Sequence, residues 1–588
     1  MKLEGGMNNK TIVKSCDILV VGGGLAGCFA AVRARSLGVD VTLVDKSYTG
    51  KTGCSAATGG MLVFNPDWGD KIDEWLAQYS RVGEYLVDRS WAETLLRESY
   101  ERHRDLVSWG VPFRMKDGTV GLPKPGEEPN RPLWLKSKYR YTCHGVGFGE
   151  KHDKMMKARK KVIDSGCELV DRVMVTELMK KDGRVVGAVG FDVRNGDFYV
   201  FKAKATVMAS GMMTFKGAAY SRQQCTGDGC AMGYRAGAEL MNMEWSGLFY
   251  VVKECDSVVI DGPTWETGKK DDIKNALGEC FLGDEGNPGV VTEILWPQEI
   301  HAGRGPIYHE PYGVDREKIK EALKEYEEKS EGPWIKMLDR AGLDIFKDRL
   351  EQYMANVGIA EWGGGLRINE KCETSLSGLF AAGDASGGSQ CGANYPSGGT
   401  GMMTAAVTGH RAGQSAAEFA SKVGRLEVDK SDIAKYEEST YASLNRKSGF
   451  TTDHVLSRIQ QTIFPYEVHM VMHEKRLQSA LTMIEFFRDH FLPKLKAFDL
   501  HDLRKAHEVR NLVLGAEMTI RAALVRKESR GCFYREDYPE RDDENWLKWI
   551  VLRDEEGKMK FWTVPVPKES WGDISMPRDE RYPLKYRR

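Results

Sequence analysis

The sequence lacks any C-x-x-C pair: its twelve cysteines are scattered, and the nearest two, Cys225 and Cys230, lie five positions apart. That spacing excludes a zinc ribbon or an iron-sulfur cluster built from local ligands, and leaves free thiols in a reducing compartment as the expectation. No metal site is expected. No run of about 18 consecutive apolar residues occurs, so no membrane-spanning helix is expected. The opening "MKLEGGMNNKTIVKSCD" has no apolar stretch of a secretory signal, which points to the cytoplasm. Net charge is nearly absent: 84 Lys and Arg against 85 Asp and Glu leave −1. Such a balance gives no field to draw nucleic acid or an acidic membrane surface. Internal repeats and low-complexity tracts are missing as well.

What is there is a chain of 588 residues, 41% apolar and 29% charged, long enough for two or three domains with large cores. Glycine is in excess, 63 of 588, and clustered. Residues 16–45, "CDILVVGGGLAGCFAAVRARSLGVDVTLVD", read as strand, glycine turn, helix and strand. Ile18 to Val21 form an apolar run suited to a buried parallel strand, Ala26, Ala30, Ala31 and Ala34 give the helix a small-residue face, and the second strand ends at Asp45. This is one βαβ unit of an α/β fold. Further on, "GRVVGAVGFDVRNGDFYVFKAKATVMASG" predicts a hairpin around "RNGD" and a buried strand stopped by Ser210 and Gly211.

From 251 to 350 the texture changes to charged loops and helices, as in "DREKIKEALKEYEEKSEG", which suggests an insertion; glycine-rich sequence resumes at "EWGGGLRIN" and "GLFAAGDASGG". Beyond about 430 the pattern is helical, with Leu477, Leu481, Ile484 and Phe487 on one face and Leu503, Ala506, Val509, Leu512, Ala516 and Ile520 on another. Pro465 and Pro493 divide that segment into at least three helices.

Gly22, Gly24 and Gly27 match G-x-G-x-x-G between a strand and a helix, and Asp45 follows 18 positions after the last glycine. The glycines let a pyrophosphate approach the amides at the helix start, and Asp45 can accept from a ribose. The stretch "YTGKTGCSAATGG" after Asp45 lets backbone run along a ligand longer than a nicotinamide domain requires, and "GLFAAGD" supplies an acid, Asp384, at a strand end held by Gly383 before a helix. Two remote glycine loops closing on one extended flavin dinucleotide is the reading that joins them.

These motifs resemble the flavoprotein subunit of the succinate dehydrogenase, fumarate reductase, L-aspartate oxidase and adenylylsulfate reductase superfamily over nearly the whole length. The likeness rests on "DILVVGGGLAGCFAA", "LVDKSYTGKTGCSAATGG", "TGDGCAMGYRAGAEL", "EIHAGRGPIY", "GLFAAGD" and "RKESRGCFYREDYPERDDENWLK". The likeness also rests on the middle stretch "GAVGFDVRNGDFYVFKAKATVMASG", which with "GANYPSGGTGM" looks closest to the adenylylsulfate reductase branch, while the C-terminal stretch looks more like succinate dehydrogenase. The resemblance implies a glutathione-reductase-type, Rossmann-like FAD-binding domain at 12–245 and 352–425, an inserted α+β capping domain at 246–351, a helical domain at 426–535 and an extension at 536–588. It also implies a ferredoxin-like iron-sulfur partner subunit in a hetero-oligomer. The residues expected to hold FAD are Gly22, Gly24, Leu25, Ala26, Gly27, Asp45, Lys46, Thr52, Gly53, Cys54, Ser55, Gly59 and Gly60, then Ala209, Ser210, Gly211, Thr226 and Asp228, then Gly383, Asp384, Asn394, Ser397 and Gly398.

Several positions depart from the family. Gly53 stands where enzymes with covalent FAD carry a histidine, so non-covalent FAD is expected. The proton-delivering arginine of the succinate and fumarate enzymes should fall just ahead of "EIHAGRG", where "VVTEILWPQ" has none. Tyr395 follows "GAN" in place of the substrate-carboxylate arginine, and Ala360 aligns with the active-site histidine. These departures point away from a simple C4-dicarboxylate and toward an unsaturated acid, a thioester or an aromatic compound. Tyr395, Glu361, Arg304, His301 and His144 are the candidate catalytic residues, with Trp362, Tyr308 and His309 beside them. A phenol or carboxyl can deliver a proton during hydride transfer, and an arginine can orient a carboxylate or phosphate. Two other readings are an adenylylsulfate reductase-like enzyme and an electron-carrying flavoprotein without its own small-molecule substrate. Arg526, Glu528 and Arg530 are expected to order the contact beneath the FAD domain by ion pairing.

Overall fold

A computed structural model describes residues 9–56, 58, 60–113, 145–146, 151–217, 223–253, 273–281, 288–310, 340–344, 347–359, 364–388, 390–396 and 398–567. Strand β1 (Thr11–Val21), helix α1 (Leu25–Ser36) and strand β2 (Val41–Asp45) make the expected βαβ unit. β1 begins earlier than its apolar run. Ile18 to Val21 pair in parallel with Val41 to Val44 on one side and with Ala205 to Met208 on the other. Thr11 to Ser15 pair with Phe198 to Lys202 and alternate exposed with half-buried residues, the pattern of a partly solvated strand.

The main sheet runs Glu168–Asp171, β2, β1, Phe198–Met208, Arg184–Asp192 and Val173–Lys181. The "RNGD" hairpin forms as expected: Phe191 faces Phe198, and Asp192 Oδ1 accepts from the amides of Arg194 at 2.7 Å and Asn195 at 3.1 Å. Strand Phe198–Met208 changes neighbour along its length. Its first half belongs to the hairpin, while Thr206 to Met208 pair in parallel with Leu379 to Ala381. Chain more than 170 positions downstream thereby enters the same sheet and brings its glycine loop to the ends of β1 and β2.

The alanine face of α1 packs on a helix. Gly409 and Gly413 of helix Thr400–Lys422 sit so close that an added Cβ would lie 2.4 Å from the Ala26 carbonyl oxygen and 2.3 Å from that of Ala30. Small residues on both sides let the backbones touch and bring the start of the second helix beside the start of the first.

A second sheet, in the order Ser246–Val252, Leu350–Ile359, Ile307–His309, Ile273–Lys274, has its own small core of Ile273, Phe281, Leu295, Trp296 and Ile307. Met213 and Thr214, just beyond the main sheet, pair with Ile359 and Gly358 of this one. Helices Thr452–Ile463, Glu474–Phe486 and Leu500–Val525 follow, and every residue of the two expected apolar stripes is buried. Pro465 separates the first from a short helix Tyr466–His469, and Pro493 lies in a tight turn beyond the end of Glu474–Phe486.

The last hairpin, Lys548–Glu555 with Lys558–Pro565, joins a sheet with Leu240–Met241, Gly365–Arg367 and Ser386–Gly387. Beneath it the fully buried Arg526 meets Glu244 at 2.9 Å and Glu528 at 2.7 Å, and Arg530 meets Glu528 at 2.8 Å and donates to the Glu84 carbonyl at 2.8 Å. Such charges are tolerated inside because each finds an opposite charge or a hydrogen-bonding partner. Among the described residues, no helix is long and apolar enough to cross a membrane.

Candidate active site

The glycine turn at the end of β1 is locked by the acid at the end of β2. Asp45 Oδ2 accepts from the Gly23 amide and Oδ1 from the Ser47 amide, each at 2.7 Å. Burial pushes its carboxyl pKa up, against these two amides. Each oxygen keeps a further lone pair, so Asp45 shapes the turn and can still receive a ligand hydroxyl. Helix α1 opens at Gly24 with no cap from that residue and no acid in its first turn; Ser55 Oγ accepts from the Leu25 amide at 3.0 Å. The positive end of the helix is therefore left to face an anion.

Around this turn lies a cleft that opens to solvent. It is lined by Gly22, Gly24, Leu25, Ala26, Asp45, Lys46, Thr52, Gly53, Cys54, Ser55, Ala209, Ser210, Gly211, Asp228, Gly383 and Asp384, all expected from the sequence. Ser210 Oγ accepts from the Gly229 amide at 3.0 Å, and the Gly383 amide donates to Thr408 Oγ1 at 2.9 Å, which fixes both loops.

Other expected residues stand elsewhere. Gly27 is a packing glycine: a Cβ there would lie 1.9 Å from the Gly22 carbonyl oxygen. Thr226 supports Lys46 at 2.8 Å from outside the lining. Gly60 and Gly398 are absent from the lining, and the Asn394 amide group donates to the Val82 carbonyl at 3.0 Å. Gly59 and Ser397 lie outside the described residues.

Lys46 is the cation among the described cleft residues, which also include Asp45, Asp228 and Asp384. Its Nζ donates to Asp228 Oδ2 at 2.8 Å and to Glu508 Oε1 at 3.1 Å. Burial acts against its charge, yet the two carboxylates raise its pKa. Glu508 is fully buried and receives Lys216 and Arg504 as well, at 2.8 and 2.6 Å. Burial alone would raise its pKa, but Lys46, Lys216 and Arg504 hold it down at about 2.

Tyr395 lines a second, small pocket with Ser386, Gln390, Cys391, Thr400, Gly401 and Thr404, and this pocket shares Gly383 and Asp384 with the larger cleft. Its Oη accepts from the Gly401 amide at 2.5 Å, at the start of helix Thr400–Lys422. Arg304 lies apart from both cavities, held bidentately by Glu299 at 2.6 and 2.7 Å. His301 Nε2 faces Glu536 at 3.5 Å. His309 is buried with neither ring nitrogen hydrogen-bonded among the described residues, and burial lowers its pKa to about 4. Arg349 stacks on the Tyr308 ring at 3.6 Å. His144, Ala360, Glu361 and Trp362 lie outside the described residues.

Residues 17–402 match the family model "FAD binding domain", and residues 458–587 match "Fumarate reductase flavoprotein C-term". A fumarate reductase (CoM/CoB) subunit of Methanothermobacter marburgensis is 31% identical over 575 residues, covering 91% of this chain and 97% of that protein. The chain belongs to the fumarate reductase and succinate dehydrogenase flavoprotein family. It is an FAD-dependent oxidoreductase.

A second member of this family, the 8-methylmenaquinol:fumarate reductase flavoprotein subunit of Wolinella succinogenes, is 27% identical over 94% of this chain and 90% of its own. The fold is shared with adenylylsulfate reductase of Archaeoglobus fulgidus, with a TM-score of 0.79, 23% identity and coverage of 95% and 97% of the two chains. E. coli quinol fumarate reductase gives a TM-score of 0.80 at 21% identity, covering 96% and 99%.

The glycines show that this member's cleft fits FAD. A Cβ on Gly22 would lie 2.3 Å from the Ala209 carbonyl oxygen, so that glycine, like Gly27, answers to protein packing. A Cβ on Gly24 would meet only Ser55 Oγ at 3.3 Å, on Gly53 only Cys225 Sγ at 3.9 Å, and on Gly211 only Cys225 Sγ at 3.7 Å. Those three positions border the cleft; Gly53 and Gly211 have φ +78°, so their backbone alone calls for glycine, and Gly24, at φ −73°, is the one whose missing side chain answers to close approach of a dinucleotide.

Sequence reasoning missed Gly23, Val173 to Val175, Gln224, Cys225, Met232 and Ala405 in the lining. Val173 to Val175 come from the strand at the far edge of the sheet, and nothing local signals their approach. Cys225 directly precedes "TGDG", so the motif's neighbour was the available signal.

Proposed function

We propose that this chain is a flavoprotein subunit that moves two electrons between an organic substrate other than a simple C4-dicarboxylate and an iron-sulfur partner subunit. The observation that carries this reading is the junction at Gly383 and Asp384, where the cofactor cleft meets the cavity of Tyr395. FAD, when bound, supplies hydride and two-electron chemistry through its ring. Gly24, Gly53 and Gly211 would leave room for it, the start of α1 would receive its anionic part, and Asp45 and Lys46 would hold it from the side.

Tyr395 is the candidate proton carrier at the second cavity. Its oxygen accepts from the Gly401 amide, which orients the phenol. No lysine or arginine is among that cavity's described lining residues. A dicarboxylate would need cationic forks on its two ends, and Arg304 is committed to Glu299. The class favoured is an unsaturated acid, a thioester or an aromatic compound.

The test is anaerobic photoreduction of the purified protein, followed by a screen of oxidised acceptors for return of the flavin absorbance. Reoxidation by a member of that class and not by fumarate supports the assignment. Rapid reoxidation by fumarate, the substrate in the relatives' names, overturns it.

A further inference from the structure

Two thiols face each other in the wall of the cofactor cleft. Cys54 Sγ lies 3.9 Å from Cys225 Sγ, and both residues line the cleft. Cys54 is partly exposed and opens the short turn Cys54–Ala56, whereas Cys225 is buried. The Cys225 sulfur is the nearest atom to the Cβ positions of Gly53 and Gly211, at 3.9 and 3.7 Å, so no side chain from either glycine intervenes. Burial pushes the thiols of Cys16, Cys28 and Cys230 up to about 12. Cys225 goes the other way: the hydrogen bond with Cys54 lowers its pKa despite burial, and Lys46 adds to the effect. The mechanism above uses neither thiol.

We propose that Cys54 and Cys225 are a redox-active pair that closes to a disulfide by exchange with a small-molecule disulfide. Cys54, the accessible member, attacks one sulfur of that molecule, forming a mixed disulfide and releasing a first thiol. Cys225 then attacks Cys54 Sγ, forming the internal S–S bond and releasing the second thiol. Two protein thiols are oxidised, one small disulfide is reduced to two thiols, and each departing sulfur takes the proton given up by the attacking one. Closure brings the sulfurs from 3.9 Å to about 2.05 Å, within reach of side-chain rotation and a small shift of the Cys54 turn. The bond ties the loop after β2 to the segment before "TGDG" and couples thiol state to the shape of the cleft.

The link itself needs no flavin; only its coupling to the cofactor rests on the cleft being the FAD site. The full chain as purified is treated with hydroxyethyl disulfide, with and without excess FAD, then alkylated and mapped by peptide mass spectrometry. A Cys54–Cys225 peptide that dithiothreitol reverses is expected, with lower yield in excess FAD. Cys225→Ser should stop at a mixed disulfide on Cys54. Absence of the linked peptide under both conditions, with adducts only on other cysteines, overturns the pair. A linked peptide whose yield ignores FAD keeps the pair and overturns its coupling to the cofactor.

Discussion

Replacing Gly24 with alanine adds one methyl group whose neighbours are known. Gly24 has φ −73°, which alanine adopts freely, and the new Cβ would meet only Ser55 Oγ at 3.3 Å. The folding cost is the loss of a tolerated helix-start glycine, offset by reduced freedom of the unfolded chain, so stability should change by no more than about 1 kcal/mol. Gly24 lines the cleft where FAD would bind, so the methyl would compete with the cofactor for that space. A loss of affinity of about tenfold or more, or about 1.4 kcal/mol, is expected. Gly27→Ala is the opposite case. Its Cβ would lie 1.9 Å from a backbone oxygen that cannot move aside, so overpacking should cost about 3 kcal/mol or more. Fluorescence titration with FAD and thermal unfolding separate the two effects. Gly24→Ala should bind weakly and melt near wild type, while Gly27→Ala should melt early. Unchanged FAD affinity in Gly24→Ala would show that no ligand approaches α1 there and would refute the cradle.

Glu508 makes the fold sensitive to acid. Its pKa is held at about 2 against an unfolded value near 4.3, so it contributes stability that is complete above the unfolded value and lost as pH falls through the folded one. Wild type should lose about 3 kcal/mol from this group between about pH 5 and pH 2. Glu508→Gln should be less stable at pH 7 and flatter across that window, as read by chemical unfolding at several pH values. Tyr395→Phe should keep the bound flavin spectrum while lowering turnover by about 10² to 10⁴ if the phenol carries the proton; unchanged turnover with the best acceptor removes that role. Acid precipitation should release yellow flavin into the supernatant, because Gly53 offers no side chain for attachment and no histidine lines the cleft among its described residues. Colour that stays with the pellet contradicts non-covalent FAD.

Legibility in the sequence followed the range of the interaction. The glycine turn and the "RNGD" hairpin were readable because each is set by residues a few positions apart, and Asp45 because it closes the βαβ unit that the turn opens, 22 positions from Gly23. The start of β1 was missed because its first half is solvated on one side and shows no apolar run. Cys225 was missed for a different reason. Its partner Cys54 is 171 positions away, and only the folded chain brings them together. Arg304 was readable as a cap arginine, but its neighbour Glu299, five positions earlier, takes both arms of the guanidinium.

The Lys46 network shows why the helical region matters to the cofactor site. Lys46 follows β2, Asp228 starts the helix Asp228–Ala236, and Glu508 lies 462 positions from Lys46 on helix Leu500–Val525. A lone lysine in that wall would be driven toward its neutral form by burial. With Asp228 and Glu508 in place it stays charged, and Asn511 from the same helix as Glu508 donates to Asp228 at 2.9 Å. The helix that carries Glu508 thus supplies the counter-charge that keeps a cation facing the cleft. The dinucleotide motif at the start of the chain is therefore electrostatically incomplete without residues near its end, and a fragment ending after helix Thr400–Lys422 would leave Lys46 without one of its two carboxylates.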